Sequence, residues 1–136
     1  MIAAEFVEVT QADPVVFDVR IDLIGNRPPL NHNQRLTWRP KHERTRLIRY
    51  TTGWRVKHLN LTPATFLTVQ LHYRPGDNRR MRDPMNLTAS SKPAIDGLVD
   101  AGLVPNDTDE FVHENTPVIH YGPGVRRLWL TVEVTR

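Results

Sequence analysis

The chain has 136 residues, 39% of them hydrophobic and 24% charged, and carries a formal charge of +3 with a sequence pI near 9.7. That length suits one domain, spanning residues 1–136, and is too short for two ordinary ones. The absence of cysteine excludes a disulfide framework, a thiolate metal site and a cysteine nucleophile.

The N-terminal "MIAAEFVEVTQADP" has glutamates where a signal peptide needs an apolar run, and no stretch approaches the length of a membrane span. A soluble, cytoplasmic protein is therefore expected. Within that segment "EFVEVT" at 5–10 is a candidate for a short extra strand. In "VVFDVRIDL" residues 15, 17, 19, 21 and 23 are apolar while 18, 20 and 22 are Asp, Arg and Asp, which predicts a half-buried strand. A Pro-containing loop follows, and residues 41–58 place Leu47, Tyr50 and Trp54 at spacings of three and four. This predicts a helix whose apolar stripe is those three residues, with Arg46, Arg49 and Lys57 turned away from it.

Leu67, Val69, Leu71 and Tyr73 alternate with polar residues and predict a second strand. A second helix is expected from Ser90 and Ser91, which can cap it, with Pro93 in its first turn and its end at Gly102. Ala94, Ile95, Leu98, Val99 and Ala101 form its apolar face. The segment from Glu110 to His120 predicts a third strand, with Pro117 marking it as irregular or at a sheet edge. Leu128, Leu130, Val132 and Val134 predict a fourth. The order is β-α-β-α-β-β, an α+β domain with a mixed sheet packed by two helices. Trp38, Trp54 and Trp129 read as packing residues, since aromatic side chains dominate cores.

The charge is unevenly placed. From Arg35 to His58 the chain holds Arg35, Arg39, Lys41, Arg44, Arg46, Arg49, Arg55 and Lys57 against one acid, Glu43. From Pro93 to Val125 there is no Lys or Arg, yet Asp96, Asp100, Asp107, Asp109, Glu110 and Glu114 all fall there. A basic stripe is the electrostatic footprint of phosphate binding, although it is also the ordinary dress of a solvated helix. Carboxylates beside such a stripe would repel DNA unless neutralised, and a hard divalent cation held by oxygen ligands does that. Each acid also has a plainer reading. Lys92 and Asp96 are spaced as a surface ion pair, while Asp83 before Pro84 and Asp107 in "PND" both suit turns. Met85 suits core filling. The six histidines lack zinc-type spacing.

"RDPMNL" at 82–87 followed by "KPAIDGLVDAGLVPND" at 92–107 resembles the signature of the RusA family of Holliday junction resolvases. The loop "PPLNHNQRLTW" and the basic segment after it resemble that family's N-terminal region, so the likeness spans roughly residues 20–135. The resemblance implies a homodimeric endodeoxyribonuclease, dependent on Mg²⁺ with Mn²⁺ as a substitute, that makes paired nicks in branched, four-way DNA within a bacterial cell or phage-infected host. Carried over by position, it implies Asp83, Lys92 and Asp107 as catalytic residues, with Asp83 and Asp107 holding the metal. The family's second aspartate falls on Met85, whose thioether is a poor ligand for Mg²⁺. Asp96, one helical turn from Lys92, is the first candidate to substitute. Arg35, Arg39, Lys41, Arg46, Arg49, Arg79, Arg80 and Arg82 are the expected DNA contacts. Met85 also leaves open a DNA-binding protein in which cleavage is weak or lost.

Overall fold

The structure, a computed structural model, describes residues 15–76 and 82–136. The candidate strand at 5–10 lies outside the described residues, as do Arg79 and Arg80. Four strands and two helices appear in the expected order: β1 (Val15–Ile21), α1 (Trp38–Lys57), β2 (Phe66–Arg74), α2 (Thr88–Asp100), β3 (Val112–Ile119) and β4 (Arg127–Thr135). A 3₁₀ turn, Pro84–Leu87, leads directly into α2.

The sheet runs β1-β4-β2-β3, with β4 antiparallel to both its neighbours and β3 parallel to β2. It is mixed because the chain crosses from β2 to β3 through α2, and a parallel return needs such a crossover. The period-two patterns hold. Leu67, Val69, Leu71 and Tyr73 of β2, and Leu128, Leu130, Val132 and Val134 of β4, are buried in one core with Ala94, Ile95 and Leu98 of α2. β3 sits at the sheet edge and its register shifts between Gln70 and His72, a bulge beside Pro117. Proline cannot donate to a ladder, so an edge position with a bulge is where it is tolerated. Among the described residues no helix is long and apolar enough to cross a membrane.

The helices depart from expectation in two places. The stripe predicted to bury α1 is on its outside, where Leu47, Tyr50 and Trp54 are exposed, as is Trp38. The face turned inward is Ile48, Thr52, Gly53 and Val56. The cause is the closeness of α2. A Cβ at Gly97 would stand 2.6 Å from the Arg49 carbonyl oxygen and 2.9 Å from the Gly53 nitrogen. Backbones this near leave room only for small residues, and large apolar ones are displaced outward. Arg49 reinforces the crossing, donating from Nε and Nη2 to Asp100 Oδ2 and Oδ1 at 2.6 and 2.8 Å.

The second departure is at the start of α2. The helix begins at Thr88, so Pro93 lies inside it, and Ser90 and Ser91 are buried there and cap nothing. Its end follows the sequence: Gly102, at φ 86°, bonds back to the Val99 carbonyl and Leu103 to that of Leu98. These are the paired bonds of a Schellman motif, which needs a left-handed residue where glycine stands. The chain is thereby turned back along α2 toward its first turns.

Candidate functional site

That reversal places the loop after α2 beside Lys92. Asn106 makes the turn: its Oδ1 accepts from the Thr108 backbone N–H at 3.1 Å and from the Thr108 hydroxyl at 2.6 Å. With the turn built by its neighbour, the Asp107 carboxylate reaches the Lys92 ammonium through Oδ2. Lys92 Nζ also donates to Asp96 Oδ1 at 3.0 Å. The ammonium is thus held between a carboxylate on its own helix and one 15 residues on. Asp107 keeps Lys92 protonated above its usual range, and Lys92 holds Asp107 ionised below the usual aspartate range.

Asp83 stands at the head of the 3₁₀ turn, where Oδ1 accepts from the Met85 N–H at 3.0 Å. The turn chemistry engages this one oxygen. Its surroundings are basic: Asp83 lines a cleft of about 1040 Å³ together with Arg27, Arg82 and Arg126. Opposite walls come from the Gly25–Asn26 turn, the loop at 28–34 and the ends of β2 and β3. Gly25 and Asn26 both have positive φ, and Ile24 and Arg27 exchange backbone hydrogen bonds around them, as a type I′ turn requires. Asp107 and Lys92 are not among the residues lining this cleft, and no hydrogen bond or ion pair joins Asp83 to them. Met85 is 51% exposed, so it is not core filling.

Sequence reasoning gave neither Ser91 nor Glu114 a place in the site. Ser91 Oγ lies 2.5 Å from Glu114 Oε2, tying the first turns of α2 to the edge strand. The signal was available: Glu114 follows buried Val112 by two, so in a strand both face the helices. Among the described residues no three His, Asp or Glu side chains group so as to hold a metal ion.

The basic segment divides by use. Arg44 donates to the Pro29 carbonyl, Arg49 pairs with Asp100, and Arg55 pairs with Asp22 while donating to the Arg20 carbonyl. Those three serve the fold. Arg35, Arg39, Lys41, Arg46 and Lys57 are exposed. The helical spacing of Arg39, Arg46 and Lys57 sets them beside Tyr50 on the outer face of α1.

On the sheet face away from the helices, His72, His120 and Trp129 stack with ring centroids 5.0–5.1 Å apart. Arg74 and Arg127 lie over the Trp129 ring. Burial, then the neighbouring His120, pushes the His72 pKa down. Neither a protein-family model nor a curated protein matches this chain.

Proposed function

We propose that the protein is a metal-assisted endodeoxyribonuclease acting on four-way DNA junctions, as its likeness to the RusA family implies. The observation that carries this reading is the meeting of Lys92 with Asp107. An aspartate serving only as a turn former has no need to reach an ammonium on another element, and here Asn106 supplies the turn.

In this reading the family's pattern would have Asp107 and Asp83 hold Mg²⁺, with Asp96 adjoining; of these carboxylates the structure brings Asp107 and Asp96 together, at Lys92. Held there, the ion would supply a Lewis acid for the scissile phosphate and would lower the pKa of a bound water. Lys92 brings a fixed positive charge to developing oxyanion character, and its neighbours keep it protonated throughout the working range. Asp107 stays ionised for the same reason and can only accept. Arg35, Arg39, Lys41 and Arg46 orient the phosphodiester backbone without reading its sequence. If six phosphates are neutralised, log affinity falls against log salt with a slope of about −5. A dimer matches the approximate two-fold symmetry of a junction and places one site on each of two opposed strands.

Incubating the protein with a synthetic four-way junction and Mg²⁺ tests the proposal, and paired nicks near the branch point are the expected product. Junction binding without nicks would instead establish a structure-specific binding protein, the reading that Met85 favours. Because Met85 is on the surface, Met85→Asp is expected to fold normally. Isothermal titration should show Mg²⁺ affinity raised about tenfold, worth about 1.4 kcal/mol. Unchanged affinity would remove this position from the metal site.

A further inference from the structure

We infer that His72 and His120 form an acid-sensitive latch that fixes the end of the edge strand β3 and, through Tyr121, the segment entering Asp83. His72 Nδ1 stands 2.9 Å from His120 Nε2. Neutral imidazoles at that distance share one proton, one ring donating and the other accepting. Both rings lie nearly parallel to the Trp129 indole, at 8° for His72 and 23° for His120. The latch sits where β3 is held least. Among the described residues β3 pairs with β2 alone, and a bulge interrupts that pairing between Gln70 and His72. Beyond the bulge the ladder is short: His72 is paired with Val118, Tyr73 with Ile119, and the His120 N–H donates to the Tyr73 carbonyl at 2.8 Å. A side-chain bond across this last rung secures a strand end that would otherwise fray. The next residue carries the effect onward, because Tyr121 Oη accepts from the Arg82 N–H at 2.9 Å, directly before Asp83. That contact orders the segment whatever chemistry Asp83 performs.

One added proton still leaves a donor on one ring facing an acceptor on the other. A second sets two N–H groups against each other, and the bond cannot form. Charges this close also repel, so the pair titrates as a unit in two steps. The surroundings oppose the second step. Among the described residues Arg74 and Arg127 lie 5.9 and 5.1 Å from the Trp129 ring centroid, and Arg20 of β1 is paired with Trp129. Asp18, also on β1, favours a charged His72 but accepts a bond from the Thr131 hydroxyl. Burial and then His120 outweigh it, holding His72 below the usual 6.5. In the unfolded chain the imidazole regains its usual affinity for a proton. The latch is therefore at full strength above about pH 6.5 and weakens as the pH falls below it.

NMR of the full chain between about pH 7.5 and 5 tests this, following imidazole titration and amide hydrogen exchange. The His72 and His120 rings are expected to titrate in two coupled steps. Protection factors of the His120 and Arg82 amides should fall together by about tenfold at the acid end, while amides of the β2–β4 ladder keep theirs. His120→Gln puts a carboxamide at the Nε2 position, which can donate to a neutral His72 or, flipped, accept from a charged one. Its protection should not vary with pH. His120→Ala removes the latch and should lower protection at Arg82 about tenfold throughout the range. Independent titration of the two rings overturns the inference, as does acid loosening that persists in His120→Gln. Protection lost across the whole sheet at once would be ordinary acid unfolding and overturns it too. Loss at His120 without loss at Arg82 would refute the connection to Asp83. These readouts need neither DNA nor metal, so the nuclease reading can fail with the latch intact, and the reverse.

Discussion

Asp107→Asn is expected to lower Mg²⁺-dependent nicking of a four-way junction about a thousandfold while leaving junction affinity within about threefold. The substitution keeps the size of the side chain and removes the charge that pairs with Lys92. A loss of that size corresponds to about 4 kcal/mol of transition-state stabilisation, the scale on which metal-bound charge acts. Affinity should persist because the exposed cations of α1 proposed to meet the backbone are untouched. Glu110→Gln, an exposed change in the same loop, controls for net charge. Gel-resolved single-turnover cleavage measures the first quantity and electrophoretic mobility shift the second. Undiminished nicking in Asp107→Asn would exclude this carboxylate from the chemistry, and an equal collapse of binding would make its role structural.

Gly97→Ala should be among the most destabilising single methyl additions in the domain. Alanine normally favours a helix over glycine by ~1 kcal/mol. Here the new methyl would meet the Arg49 carbonyl oxygen at 2.6 Å and Thr52 Cβ at 2.9 Å. The obstacle is mostly backbone, so no rotamer change relieves it, and α1 and α2 must separate. Overpacking of this kind costs about 1–3 kcal/mol or more, a large share of a typical ~5–15 kcal/mol. Urea denaturation should show a midpoint lowered at unchanged m-value. Gly102→Ala makes a useful contrast: nothing lies within 4 Å of its added Cβ, and only its positive φ is strained.

β1, β2 and β4 were legible because inward and outward positions alternate along them, as a sheet covered on one face imposes, whereas β3 is broken by the bulge beside Pro117. The buried side of α1 was not legible. Thr52 and Gly53 are chosen for closeness to α2 and carry little hydrophobic signal, while Leu47, Tyr50 and Trp54 mimic a core stripe from the outer surface. Ser90 and Ser91 look like caps for a related reason. A buried serine bonding to another element has the composition of a helix start, and only tertiary placement separates the two. In the candidate site the neighbours Lys92 and Asp96 could be paired from their spacing. Asp107 could not, because its approach depends on the reversal at Gly102 and on Asn106 making the turn.

The strand nearest the C-terminus, β4, is an interior member of the sheet, flanked by β1 and β2. During synthesis β1 and β2 therefore leave the ribosome with unmatched edges, and their common partner arrives last. The Thr131 hydroxyl meets Asp18 across 113 residues, the kind of separation that slows folding and prolongs exposure of sticky intermediates. Translation cut short before Arg127 yields a chain that retains every proposed catalytic side chain and lacks the strand that joins β1 to β2.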